Sequence, residues 1–262
     1  MILDYLFYNF PTWLFALLGI GFIALASSIG LLIFKRMVPI TKIKDNSFIS
    51  YPLATISLFC SILISLIAIS SWQSYAAAEQ KVDQEARLVE GVYRLSEGLP
   101  EPFKHILKAN MIEYIQIVLL DEWPAMLKNQ AYGTRGSEIL TRSNDALHQF
   151  HNTNPVDLIY FKNVLEKLNL LFDARRDRVL ASKVNFPIVI WLVVSFAAFL
   201  NIFICYFFTL ESTQLHLIIT SLIAATIGSI LVLIIVFIHP FQGDIAIQPE
   251  AFLDFKQSLS IK

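Results

Sequence analysis

Four long stretches of the chain contain no Asp, Glu, Lys or Arg. They cover residues 12–34, 51–72, 187–210 and 215–238, and each is 22 to 24 residues long. A helix needs about 20 apolar residues to cross the hydrocarbon core of a bilayer. The pattern therefore predicts four transmembrane helices and an all-α integral membrane protein.

The segment between the second and third stretches has the opposite composition. Residues 73–186 hold 14 of the 20 basic and 15 of the 21 acidic residues. Apolar side chains recur there at spacings of three and four, which is typical of amphipathic helices. We expect the second transmembrane helix to continue to about Leu95, and further helices at 101–129, at 137–151 and from Pro155 onward. The sequence thus predicts a helical soluble domain inserted between two pairs of transmembrane helices.

On this basis the chain divides into a first helix pair, an inserted domain, a second helix pair and a tail, in the ranges 1–72, 73–186, 187–238 and 239–262. The tail has a helical pattern only over residues 250–259. Pro240 and Gly243 follow the fourth apolar stretch closely, and this predicts a turn that folds the tail back onto the inserted domain. We expect Phe241 to pack in an apolar pocket there.

Four spans place both termini and the inserted domain on one side of the membrane. Cytoplasmic segments carry an excess of Lys and Arg. By count, the side of the inserted domain has more cations near the membrane than the first loop, which predicts a cytoplasmic domain. The cations Lys35 and Arg36, directly after the first span, favour the opposite orientation.

Composition excludes several classes of protein. Of the residues, 56% are hydrophobic and 16% are charged, and the net charge is −1. A basic field that would attract nucleic acid is therefore missing. The two cysteines, Cys60 and Cys205, lie inside apolar stretches, and two thiols are too few for a disulfide scaffold or a four-cysteine zinc site. We expect both to be buried.

Motifs for catalysis or for a cofactor do not stand out in this sequence. It has no glycine-rich phosphate loop, no nucleophile elbow and no HExxH, so we expect neither an enzyme nor a cofactor or metal site. Asp145, His148 and His151 form the nearest metal-like pattern, but their spacing drifts around a helix and favours a solvated face. Asn201 is expected to hydrogen-bond between helices, and His216 to reach the membrane interface.

The second span carries a row of small and hydroxyl-bearing side chains. Steps of three and four residues place them within a narrow sector of one helix: Ala54, Ser57, Ser61, Ser65, Ala68 and Trp72. Beyond the membrane the row continues into the carboxylates Glu79, Asp83 and Glu90. Leu58 and Ile62 lie on another face, which we expect to contact lipid.

Two interpretations of this row remain open. Small residues allow neighbouring membrane helices to pack closely. Alternatively, three hydroxyl groups at one-turn intervals could line a water-filled pore, and the carboxylates could form a vestibule that attracts cations.

Several short motifs resemble those of bacterial membrane proteins described as bestrophin-like. In chain order they are Trp72-x-x-Tyr75, Glu85-Ala86, Tyr93-Arg94, Asp121-Glu122-Trp123-Pro124, Ala174-Arg175-Arg176-x-Arg178 and Pro240-Phe241-x-Gly243-Asp244-Ile245. Pro249 and Phe252 complete the set, which covers the chain from about residue 50 to 255 in the same order. Through this group, the four-span plan is also similar to that of the bestrophin channels.

The resemblance implies a pentameric ion channel whose second helices surround the pore, with the termini and the helical domain in the cytoplasm of a bacterial cell. Matched on Tyr75, the apolar neck positions of bestrophins fall on Ser61, Ser65 and Ile69. An acidic calcium-binding cluster is not recognisable beyond Asp244 and Asp254, so we do not expect calcium gating. For Asp244 we expect an arginine partner, with Arg175, Arg176 and Arg178 as candidates.

Three functions are compatible with these features. The first is a homo-oligomeric channel for small inorganic ions, which would have the lipid bilayer and further copies of itself as partners. The second is a membrane scaffold or regulator whose helical domain binds a partner protein. The third is a transporter, although the discontinuous helices of many transporters are not indicated, because no span has a proline in its interior away from the ends.

Overall fold

A computed structural model describes residues 11–38, 47–128, 130, 133–151, 154–183, 187–208, 210 and 212–260 of the chain. In these residues the structure is helical and contains no β-strand. The all-α class is therefore confirmed for the described part of the chain. The helices are α1 (Thr12–Met37), α2 (Ser47–Leu95), α3 (Phe103–Ile117), α4 (Trp123–Leu127), α5 (Arg135–His148), α6 (Pro155–Ala181), α7 (Ile188–Cys205), α8 (Thr213–Ile238) and α9 (Glu250–Ser260).

The helices form two compact units. The apolar unit consists of Met1–Tyr75 and Asn185–His239, and the charged unit consists of Ala76–Val184 and Pro240–Lys262. Four helices among the described residues are long and apolar enough to cross a membrane, and they are α1, α2, α7 and α8. Each overlaps one of the charge-free stretches of the sequence. The prediction of four apolar helices is thus confirmed.

Among the four apolar helices, α7 differs most from its predicted length. It ends at Cys205, whereas the apolar stretch continues to Leu210. Directly after this end, the Tyr206 hydroxyl group donates a hydrogen bond to the Ser27 carbonyl oxygen at 2.8 Å. This bond holds the turning chain against α1, so apolar composition alone overestimates the length of the helix.

Helix α2 continues well beyond the apolar stretch, as predicted. It runs from Ser47 to Leu95 without interruption, and its sequence has no glycine or proline between Pro52 and Gly91. A short 3₁₀ turn, Ser96–Gly98, follows it. The Ser96 hydroxyl group donates to the Tyr93 carbonyl oxygen at 2.7 Å, which satisfies one of the carbonyl groups left open at the helix end.

Helices α1 and α8 pack closely and run antiparallel. The hydroxyl groups of Ser28 and Ser221 are 2.8 Å apart and hydrogen-bonded. At Gly228 the two backbones approach so closely that an added Cβ atom would lie 3.4 Å from the Ile20 Cα atom. Phe15 adds apolar packing at the other end of this contact. Small residues thus allow the close approach that membrane helices favour.

The tail packs within the charged unit. Phe241 is only 2% exposed, and its ring meets the Trp123 ring edge to face at 5.9 Å between centroids. Phe252 also contacts Trp123. Gly243 has a φ of 78°, a left-handed conformation that glycine adopts without steric cost. The prediction that Phe241 occupies an apolar pocket is confirmed.

Glu97, in the turn after α2, lies between two cations at the surface. Its carboxylate pairs with Lys104 and with Lys108. Hydrogen bonds from these two ammonium groups, that of Lys104 foremost, lower the pKa of the Glu97 carboxyl group to about 2. The pair of lysines thus joins the start of α3 to the end of α2 within the charged unit.

Candidate functional site: the second span and a buried charge cluster

The serine row of α2 is only partly covered in the single chain. Ser57 is half-buried, and its hydroxyl group donates to the Asn201 Oδ1 atom on α7 at 2.8 Å. Ser61 and Ser65 are exposed, Ala68 is half-buried, and Ile69 and Trp72 are exposed. The structure therefore places Ser57 against a neighbouring helix and leaves the next two serines uncovered.

A different face of α2 packs inside the apolar unit. Cys60, Ile64 and Ser71 are buried, and Ile64 contacts the α8 residues Ile234 and Ile238. At 100° per residue this face lies about 100° away from Ser61 and Ser65. Leu58 and Ile62, the predicted lipid-facing residues, are also exposed. Exposure in one chain thus does not separate the predicted pore face from the predicted lipid face.

The predicted vestibule residues lie on the part of α2 that belongs to the charged unit. Glu79 is exposed, whereas Asp83 and Glu90 are half-buried. Asp83 lies 3.9 Å from Arg87, and Glu90 pairs with Arg94. Both pairs have the i, i+4 spacing of a helix surface. These arginines reduce the local negative charge, which the sequence interpretation did not take into account.

A cluster of buried charges lies on the other side of α2. Its members, called the charge cluster below, are Glu85, Tyr114, Glu122, Arg175 and Arg178. The Arg178 Nε atom donates to Glu85 Oε2 at 2.6 Å, and its Nη2 atom donates to Glu85 Oε1 at 3.1 Å. The same Nη2 atom donates to Glu122 Oε2 at 2.6 Å. Arg178 thus joins α2 to the segment between α3 and α4.

Arg175 and Tyr114 complete the charge cluster. The Arg175 Nη2 atom donates to Glu122 Oε1 at 2.7 Å, and the Tyr114 hydroxyl group donates to Glu85 Oε1. Two carboxylates and two guanidinium groups balance in charge, and all five side chains are buried. Buried charges are tolerated when they are paired and hydrogen-bonded in this way.

A wide turn in the backbone presents Glu122 to the charge cluster. The segment Val118–Glu122 is a π-helical turn between α3 and α4, and the Trp123 N–H group bonds to the Val118 carbonyl oxygen five residues earlier. Pro124 explains the interruption. Proline has no N–H group, and in an unbroken α-helix its ring would clash with the carbonyl group of the residue four positions before it.

Two further groups pack against the guanidinium groups. Trp123 stacks its ring on Arg178, with 5.8 Å between the guanidinium carbon and the ring centroid. At Gly136, an added Cβ atom would lie 2.5 Å from Glu122 Oε1 and 2.9 Å from Arg175 Nη2. Only glycine therefore lets the start of α5 approach this ion pair.

The charge cluster keeps its protons in fixed places. Burial lowers the pKa of the Arg178 guanidinium group. The charge and hydrogen bonds of Glu85, together with the charges of Tyr114 and Glu122, outweigh burial, so the pKa lies well above its usual value. Burial, followed by the charge of Glu85, raises the pKa of the Tyr114 hydroxyl group well above its usual range. Arg178 is therefore charged, and Tyr114 is a neutral donor.

Two of the three arginines that the sequence offered as partners of Asp244 bind buried acids. Arg175 and Arg178 direct their guanidinium groups to Glu122 and Glu85, and Arg176 is exposed. Asp244 lies at the surface. The sequence offered these arginines for Asp244 because they lie just below the membrane on the same side as the tail, and it did not point to Glu85 and Glu122, which are far from them along the chain.

The structure also places the remaining residues that the sequence singled out. Tyr75 packs on the Phe237 ring at 5.5 Å between centroids. Asn201 makes the predicted contact between helices, which confirms that expectation. His216 is buried and its Nε2 atom bonds to the Cys205 carbonyl oxygen at 3.0 Å, so the prediction that it reaches the interface is wrong. The turning end of α7 provides that carbonyl group, which a linear reading of the sequence does not reveal.

The two histidines of the metal-like pattern Asp145, His148 and His151 contact neighbouring polar groups. His148 lies 3.2 Å from the Asn144 amide nitrogen, and a ring nitrogen of His151 bonds to the Gln149 carbonyl oxygen at 2.9 Å. Within the described residues, Asp145 and these histidines do not assemble with other side chains into a group that could hold a metal ion. Cys60 and Cys205 are both buried free thiols, as predicted.

The helices and their apolar composition define an all-helical integral membrane protein with four apolar helices among the described residues. The profile of the Bestrophin-like domain matches residues 20–252. The chain therefore belongs to the bestrophin-like family, which confirms the resemblance drawn from its motifs.

Two solved structures share this fold. One is a variant of a bacterial bestrophin homologue from Klebsiella pneumoniae, with a TM-score of 0.61 and 13% identity over 94% of this chain and 96% of that chain. The other is a variant of a membrane protein, with a TM-score of 0.61 and 13% identity over 91% of this chain and 96% of that chain. None of the curated proteins compared matches the sequence.

Proposed function

We propose that this protein is the subunit of a homo-oligomeric ion channel, in which α2 lines a pore for small inorganic ions. The proposal includes a homopentamer in the bacterial inner membrane, with the termini and the charged unit in the cytoplasm. Family membership over residues 20–252 supports a channel. The fold shared with a bacterial bestrophin homologue supports the same class.

The exposure of Ser61 and Ser65 in an apolar helix is the observation that carries the choice of α2. A hydroxyl group that faces hydrocarbon without a partner is unfavourable. Water in a pore, or a neighbouring copy of the chain, would satisfy both serines. The four apolar helices of one copy are too few to enclose a hydrated path, so the pore must be shared between copies.

Oligomeric state is the first test. We expect mass photometry of the purified protein in detergent to show a single species of several copies, five in the proposed assembly. A protein that stays monomeric in several mild detergents and in nanodiscs would contradict the channel.

Thiol labelling is the test of the pore face. In a Cys60→Ala, Cys205→Ala background, Ser61→Cys should react with a small charged thiol reagent added to the water phase, because thiolate forms only where water is present. Ile62→Cys should remain unreactive, since it would face lipid. Equal reaction at both positions would show that the pore face has been assigned wrongly.

Ion flux into liposomes tests conduction directly. Ser61→Leu should reduce the flux because a larger apolar side chain narrows and dries the path. Ser70→Leu is the matched control, because the same change occurs on the opposite side of α2, about 180° away. If Ser61→Leu and Ser70→Leu reduced the ion flux equally, the proposal that the serine row lines the pore would be wrong.

Selectivity depends on the proposed vestibule. Neutralising Glu79 and Asp83 together should lower the preference for cations, because rings of carboxylates raise the local cation concentration. The effect should fade in high salt, where the screening length falls to about 3 Å at 1 M. A cation preference that the double variant leaves unchanged would exclude these carboxylates as its source.

A scaffold or regulator is the alternative. On α6, outside the apolar unit, Val156 is 57% exposed and Ile159 is 61% exposed, and such side chains could bind a partner protein. Stable oligomers that pass no ion under any salt or voltage would favour this second function.

A further inference from the structure

The charge cluster and the proposed vestibule residues occupy opposite sides of the same part of α2. Glu85 is fully buried and held by Arg178 and Tyr114. At 100° per residue, Glu79, Asp83 and Glu90 lie between about 120° and 160° around the helix from Glu85. All four carboxylates belong to the charged unit. Whatever fixes the direction of Glu85 therefore also fixes the direction of the other three.

The contacts of Glu85 have a geometry that can fix the rotation of α2 about its own axis. Its two carboxylate oxygens accept from the Nε and Nη2 atoms of Arg178 at 2.6 Å and 3.1 Å. Such a two-point contact between planar groups has a defined geometry, unlike the contact of one apolar side chain with another. Arg178 is itself held by Glu122 and by the Trp123 ring. The partner of Glu85 is thus fixed from two other directions.

We propose that the charge cluster is a rotational lock, which fixes the angle of α2 about its own axis and so holds Glu79, Asp83 and Glu90 on the opposite side. Glu85 and Tyr114 are positioning residues in this scheme. The effect of the lock on ion selectivity rests on the proposed channel function. Its effect on the angle of α2 does not.

Two half-buried positions of α2 serve as probes of the angle. Lys81 and Asp83 lie on opposite edges of the packed face, about 160° apart around the helix, and both are half-buried. A rotation of α2 buries one edge and exposes the other. Lys81→Cys and Asp83→Cys, each in the Cys60→Ala, Cys205→Ala background, should therefore change their maleimide labelling rates in opposite directions.

Glu85→Gln and Tyr114→Phe are the perturbations. Glu85→Gln keeps the shape of the side chain but loses the ionic attraction, and Tyr114→Phe removes only the hydroxyl donor. We expect the ratio of the two labelling rates to change by roughly an order of magnitude in Glu85→Gln, and in the same direction but less in Tyr114→Phe, because labelling follows thiol exposure. Asp121→Asn is the control, since it breaks the exposed pair with Arg135 in the same wide turn.

The outcomes are separable. An unchanged ratio in folded Glu85→Gln and Tyr114→Phe proteins would overturn the lock and leave a purely stabilising cluster. Faster labelling at both positions would mean local unfolding rather than rotation, which also contradicts the proposal. In bilayers, Glu85→Gln and Tyr114→Phe should shift the reversal potential in the same direction as the neutralisation of Glu79 and Asp83 does. If the unmodified protein passes no current, the channel function fails, but the labelling ratio still decides the lock.

Discussion

Arg178→Met tests how strongly the charged unit depends on the charge cluster. Methionine keeps a long unbranched side chain beside Trp123 but removes the guanidinium group. The change deletes three hydrogen bonds to carboxylates, with lengths of 2.6, 3.1 and 2.6 Å. Glu85 then keeps only the Tyr114 hydroxyl donor, whereas Glu122 keeps Arg175. One carboxylate thus becomes a buried charge without a cation.

The size of the effect follows from this uncompensated charge. Removing one partner from a buried ion pair costs about 3–5 kcal/mol in the free energy of unfolding. Because Tyr114 still donates to Glu85, we expect the lower part of this range. For a chain of this size, that corresponds to a decrease of about 10 °C in the unfolding temperature.

Heating in detergent with tryptophan fluorescence as the signal measures this shift, and Trp123 contacts Arg178 directly. Arg135→Met is the matched control, because it breaks the pair with Asp121 at the surface, where an ion pair contributes at most about 1 kcal/mol. Adding Glu85→Gln to Arg178→Met should recover part of the loss, since the unpaired charge is gone. Equal unfolding temperatures for the Arg178→Met and Arg135→Met proteins would refute the reasoning.

Three further predictions concern the charged unit. Gly136→Ala should destabilise it by about 1–3 kcal/mol, because the new Cβ atom has no room beside Glu122, and thermal unfolding measures the loss. Phe241→Ala should cost about 3–5 kcal/mol and shift the emission of Trp123 to longer wavelength, since the tail covers this ring; unchanged emission would contradict that packing. The stability that Glu97 contributes through its two lysines should be complete above about pH 4.5 and lost as the pH falls through about 2. Glu97→Gln should remove this part of the pH dependence, which a comparison of unfolding temperatures across pH would detect.

The apolar helices could be predicted because the bilayer imposes a simple rule. A backbone in hydrocarbon must satisfy its hydrogen bonds within a helix, so charge-free stretches of sufficient length predict α1, α2, α7 and α8. The continuation of α2 could also be predicted, since nothing in its sequence breaks a helix before Gly91. The end of α7 could not, because it depends on a hydrogen bond between Tyr206 and Ser27, which are far apart in the chain.

The charge cluster could not be assembled from the sequence, although a signal for it was present. Its ion pairs join residues 53, 56 and 93 positions apart, and a buried glutamate looks the same in a sequence as a solvated one. Arg178, however, continues the buried series Leu168, Leu171 and Ala174 on one face of α6. A charge at a position that the helical period assigns to the core needs a buried partner of opposite charge.

The same reasoning explains why polar contacts matter so much for α2. An apolar helix surrounded by lipid is hydrophobic on many sides, so hydrophobic burial specifies its angle only weakly. In the apolar unit, the hydrogen bond from Ser57 to Asn201 is specific because it joins two particular atoms at 2.8 Å. In the charged unit, Glu85 has the same effect through Arg178 and Tyr114. A substitution at Ser57 or at Glu85 therefore destabilises the protein by more than the loss of that one contact. Every other side chain on that part of the helix loses its direction as well.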